Sequence, residues 1–111
     1  MNKIFFSFLT IVLLTVGLSQ AAVYKGQKEY VKKCKKCHNN GQELAHSKKM
    51  REWKKLMKKK GKGLAALHLE DVKAKKSWKY FKSKKFTKRS RHLKDFMVEY
   101  AKDSGKVPAC N

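Results

Sequence analysis

Apolar side chains along this chain recur three and four residues apart, and strict alternation is nowhere sustained. That spacing predicts helices throughout and no sheet. A first helix is expected from about Tyr24 to Cys37, with Val23, Gln27, Tyr30, Val31, Cys34 and His38 on one broad face. Asn39-Asn40-Gly41 should break it. A second helix is expected to start at Ser47 as N-cap, with Glu52 early in the helix and a stripe of Met50, Trp53, Leu56 and Met57. Gly61-Lys62-Gly63 should end it. A short third helix holds Leu64, Leu67, His68 and Val72, and the aromatic segment Trp78-Lys79-Tyr80-Phe81 forms another. The last helix is expected from about Ser90 to Asp103, with Leu93, Phe96, Met97 and Tyr100 facing inward and Gly105 as its C-cap glycine. One proline, Pro108, leaves these helices unbroken.

The first residues read differently. Met1-Asn2-Lys3 is short and basic, Ile4 to Leu18 is almost wholly apolar, and Ser19-Gln20-Ala21 supplies small residues suited to cleavage. This is the three-part pattern of a secretory signal peptide, and the apolar run is shorter than the roughly 20 residues of a spanning helix. The expected division is residues 1–21 as signal peptide and 22–111 as a single domain exported to the periplasm, with an uncleaved membrane anchor as the alternative. Domains this small commonly gain stability from a disulfide, metal or cofactor.

Charge narrows the partners. The chain carries 29 Lys and Arg against 8 Asp and Glu, a net charge of +21. Such a surface attracts acidic protein patches or anionic membranes. Nucleic acid is a poor partner for an exported protein.

The chemistry is concentrated in Cys34-Lys35-Lys36-Cys37-His38. C-x-x-C-H is the attachment motif of c-type haem: two thiols three residues apart lie on one side of a helical turn and reach the two vinyl groups, while the next imidazole ligates the iron. A structural zinc site or a redox dithiol is the rival reading. Zinc would need a second ligand pair, for which only Cys110 with a histidine offers itself, and a redox dithiol would need a βαβ pattern that is absent here.

With that motif in place the chain resembles the monohaem cytochromes c, class I in particular. Gly26-Gln27-Lys28-Glu29-Tyr30 before Cys34 is similar to the N-terminal helix of that family, and Leu93-Lys94-Asp95-Phe96 continuing to Tyr100 is similar to the C-terminal helix that crosses it. The resemblance covers about a third of residues 22–111. It implies an all-α bundle of about four or five short helices around one covalent haem, acting as an electron carrier rather than an enzyme. A haem enzyme or gas sensor with an open distal site, and a basic metal-binding module, are the alternatives.

The chain departs from the class at the second iron ligand. No methionine stands between Met57 and Met97, where the class usually places one. The candidates are His68, His92, His46, Met50, Met57 and Met97, with His68 preferred because it shares a helical stretch with Leu64 and Leu67. A second histidine generally gives a lower potential than a methionine. Trp53, Trp78, Tyr80 and Phe81 are expected as pocket walls or core. Lys32, Lys33, Lys35 and Lys36 would ring one side of the haem and steer an acidic redox partner. Cys110 has no internal partner once Cys34 and Cys37 are used, so a disulfide dimer through it is an open possibility for an otherwise monomeric protein.

Overall fold

The computed structural model describes residues 20–108. The signal-peptide reading therefore lies almost wholly outside the described residues, as does Cys110; residues 20 and 21 belong to the first helix.

The described chain is all-helical, with no strand. In order it forms α1 (20–33), α2 (Lys35–His38), α3 (Gly41–His46), α4 (Met50–Leu56), α5 (Lys58–Leu69), a 3-10 helix (Val72–Ser77), α6 (Trp78–Phe81) and α7 (Lys84–Glu99). This exceeds the four or five helices expected, because two short elements and one break were illegible in the pattern. Asn40 does break the first helical run, but its side chain then accepts hydrogen bonds from the Gln42 and Glu43 amides and so caps α3. Ser47 closes α3 rather than opening α4. Lys49 is the N-cap of α4, its amide donating to Glu52 Oε2 at 2.7 Å.

The break expected at Gly61–Gly63 falls slightly earlier. Lys59, Lys60 and Gly61 all take left-handed backbone angles, and Gly61 lies buried against the Phe86 ring. The helix carrying His68 follows from there. Val72, expected on that helix, opens the 3-10 helix and is 76% exposed.

α7 begins six residues before the expected start at Ser90. Ser83 Oγ accepts the Phe86 amide at its N-cap, and Phe86 plants the first turn in the core. Tyr100, not Gly105, is its C-cap. Gly105 instead takes a left-handed angle in the following turn.

α7 packs against α3, α4, α5 and α6, and the core of Tyr30, Trp53, Met57, Phe81, Phe86, Leu93, Phe96 and Met97 is built around it. α1 crosses α7 at Gly26. A Cβ there would fall on the His92 carbonyl oxygen and lie 2.7 Å from the Phe96 Cβ, so only glycine lets the two backbones meet. One turn on, the Tyr30 and Phe96 rings pack at 5.9 Å. The inner face of α1 is thus Gly26, Glu29 and Tyr30, with Val23 and Cys34 partly covered; Val31, expected to face inward, is half-exposed.

Candidate functional site

Cys34 and Cys37 sit where α1 passes into α2. The Cys34 amide continues the hydrogen bonding of α1 to the Tyr30 carbonyl at 2.8 Å, and the Cys37 and His38 amides donate to the Cys34 carbonyl. One helical turn therefore holds both thiols and the imidazole. The turn after it is pinned from below, since Tyr30 Oη donates to the Asn39 carbonyl at 2.8 Å. Burial pushes the Tyr30 hydroxyl up to about 12, with the Cys34 charge adding to it, so it stays a donor across the physiological range.

These residues form one wall of a cleft of about 410 Å³. α5 contributes Leu67 and His68 to the opposite wall, the 3-10 helix and its N-cap contribute Asp71, Lys73 and Lys76, and α6 contributes Phe81. The volume lies within the range typical of small-molecule and cofactor sites.

Across the cleft the rings of His38 and His68 lie 5.9 Å apart between centroids, with their planes nearly perpendicular at 79°. Two imidazoles on opposite sides of one metal ion need about 6 Å between ring centres, because each metal–nitrogen bond is about 2 Å and the nitrogen lies roughly 1 Å from its ring centre. The observed spacing fits that requirement. The Leu64 carbonyl also sets the tautomer of His68. Its Nδ1 stands 2.8 Å from the Leu64 carbonyl, which can only accept, so Nδ1 carries the proton and Nε2 the free lone pair. Phe81 stacks on the same ring at 4.2 Å, and Trp78 Nε1 donates to the His68 carbonyl at 2.6 Å. Ring and backbone are both held.

Electrostatics favour a neutral imidazole at His38. Burial, then His68, lowers the pKa of His38. Burial, then the charges of Glu29 and Cys37, pushes the Cys34 thiol up to about 12. This is the reverse of the low-pKa cysteine of a redox dithiol. Among the described residues no three His, Cys, Asp or Glu side chains converge to hold a metal ion by themselves.

The other ligand candidates stand elsewhere. Met57 and Met97 are buried core residues, and Met50 packs at the core margin while its amide donates to Asp103. His92 lies in the α1–α7 crossing and borders a separate cleft lined by α7 cations; burial, then Arg91 and Lys25, lowers its pKa. His46 ends α3, with its Nδ1 buried and unpartnered. None of these five lines the cleft that holds the two cysteines.

Of the expected aromatic walls, Phe81 lines the cleft, Trp78 acts through the His68 backbone, and Trp53 is pure core, its Nε1 donating to the Ala45 carbonyl. Tyr80 does not line the cleft but stands behind it, its ring centre 5.4 Å from Lys33 Nζ and its Oη donating to Glu29 Oε1 at 2.8 Å.

Of the four flanking lysines only Lys33 lines the cleft; Lys35 and Lys32 border other concavities on α1, and Lys36 is exposed. Lys73 and Lys76 are the cleft's other cations and were not foreseen. Glu29 was missed as well. It is 1% exposed, bonded to Tyr80 and 3.7 Å from Arg89. Its i, i+3, i+4 spacing with Gly26 and Tyr30 was the available signal, masked by its charge.

Comparisons of the chain with protein-family models, with curated proteins and with solved structures find no match in any of the three.

Proposed function

We propose that this protein is an exported c-type cytochrome that carries single electrons, with one haem attached to Cys34 and Cys37 and its iron held between His38 and His68. The observation that carries the reading is the 5.9 Å pairing of the two imidazoles across the cleft that both cysteines line. When bound, the haem would supply the one-electron couple. The chain's own residues do the rest. Cys34 and Cys37 retain the cofactor outside the cell membrane, where a loosely bound one would be lost to dilution. Leu67 and Phe81 give the cleft apolar walls. The Leu64 carbonyl fixes the tautomer of His68, and two imidazoles in place of imidazole and methionine favour a low potential.

Two ligands leave no vacant position for a substrate, which favours a carrier over an enzyme. Lys33, Lys73 and Lys76 at the cleft favour an acidic redox protein as partner. The apolar segment from Ile4 to Leu18 and the small residues to Ala21 favour export to the periplasm.

The test is the exported protein itself. It is expected to retain haem through denaturing electrophoresis and to give low-spin bis-histidine absorption and magnetic-resonance spectra. His68→Ala should turn it high-spin and open to carbon monoxide. Absence of covalent haem would defeat the reading, and a His68→Ala protein that stays low-spin would remove His68 from it.

A further inference from the structure

The outer face of α1 is left uncovered by the packing just described. Gly26, Glu29 and Tyr30 are consumed by the contacts with α6 and α7, while Tyr24 is 60% and Val31 50% exposed. Together with Gln27, Lys28 and Lys32 they line one shallow concavity. Positions 24, 27, 28, 31 and 32 follow i, i+3, i+4, i+7 and i+8, which is a single stripe along the helix. Lys28 Nζ lies 5.8 Å above the Tyr24 ring.

We infer that this stripe of α1 is a docking surface for an anionic lipid bilayer. Charge complementarity carries the choice of partner. A helix lying on a membrane presents an aromatic and aliphatic face flanked by lysines, the apolar groups entering the headgroup boundary and the cations meeting anionic lipid. Tyrosine suits that boundary, with one apolar and one polar end. The stripe offers no buried polar group that would read a particular protein surface. In the sequence, the apolar run Ile4–Leu18 stops only a few residues before Tyr24, so export delivers this end of α1 to the bilayer first. The inference rests on α1 and on the export proposed above, and stands or falls separately from the haem reading. The stripe and the cleft share no lining residue.

Exported protein is sedimented with phosphatidylcholine vesicles, with and without phosphatidylglycerol, over a range of salt. Binding is expected only with phosphatidylglycerol and should weaken as salt rises. Tyr24→Ser combined with Val31→Ser should weaken it about tenfold, the loss expected for two half-buried apolar groups. Lys28→Glu with Lys32→Glu should weaken it by about a hundredfold or more, roughly fivefold for each unit of charge. Lys84→Glu with Lys85→Glu makes the same charge change on α7 and should have much the smaller effect. All six side chains are surface residues, and circular dichroism checks that each variant folds.

Three results would each overturn the inference. One is undiminished binding of the Tyr24/Val31 variant. Another is equal loss from the two charge reversals, which would mean diffuse attraction. The last is polyglutamate binding that depends on Tyr24 and Val31, which would assign the stripe to acidic polypeptides.

Discussion

Gly26→Ala is the most direct probe of the architecture that brings the two cysteines to the cleft. In an exposed helix the change stabilises by roughly 1 kcal/mol, because alanine loses less backbone entropy than glycine on folding. Here the added methyl would fall on the His92 carbonyl oxygen and within 2.7 Å of both the His92 carbonyl carbon and the Phe96 Cβ. The first two are backbone atoms of a sixteen-residue helix in the middle of the core, so no flexible side chain can swing aside. Overpacking of this kind costs about 3 kcal/mol, at the upper end of its usual range. Net of propensity, α1 should lose about 2 kcal/mol of attachment to α7. For a domain of this size that is a fall in Tm of about 10 °C. Thermal and urea unfolding followed by circular dichroism would measure it, with Lys25→Ala, one residue away and exposed, as the control for the α1 backbone. A Gly26→Ala protein as stable as the wild type would mean that the two helices do not meet at this position.

Two further outcomes concern the cofactor-free chain. Cys37 is exposed, whereas Cys34 is half-buried with its thiol pushed up to about 12, so at neutral pH iodoacetamide should modify Cys37 well before Cys34, as peptide mass spectrometry would show. Equal rates would contradict the buried placement of Cys34. His38 and His92 both have lowered pKa values, chiefly from burial, so unfolded histidines, titrating near 6.5, take up protons before the folded ones do. Their contribution is full above about pH 6.5 and is lost as pH falls through the lowered values. Urea midpoints should therefore drop between about pH 7.5 and about pH 5. Replacing His92 with Gln should shrink the drop, and an unchanged drop would show that its burial carries no linkage.

How far the sequence could be read depended on whether a residue's local spacing or its distant contacts decided its place. The stripe of Leu93, Phe96 and Met97 was legible because a long helix repeats its inner face several times. The start of α7 was not, since between Ser83 and Ser90 only Phe86 is apolar and one side chain makes no period. Asn40 was read correctly as a breaker and not as a cap, because the same side chain does both in consecutive helices. At the site, Cys34, Cys37 and His38 were fixed by adjacency in the chain. Among six candidates His68 could be preferred only for the helical stretch it shares with Leu64 and Leu67, since the cleft it shares with His38 depends on how α5 is set against α1. Lys73 and Lys76 depend on the 3-10 helix, whose six residues carry little pattern of their own. The buried Glu29 was hidden by the ordinary expectation that carboxylates face water.

The left-handed stretch Lys59-Lys60-Gly61 has a consequence for how this chain can vary. It resets the helical phase between α4 and the segment that bears His68, and it is clamped where Gly61 meets Phe86 and Ser90. An α-helix turns about 100° with each residue. Deleting or inserting one residue after that clamp would rotate the His68 imidazole by about that angle, out of line with His38, while leaving helix content and composition almost untouched. Length in this segment is therefore under stricter control than the identity of Lys58 and Lys62, exposed lysines outside the left-handed stretch that could change while the number of residues stays fixed.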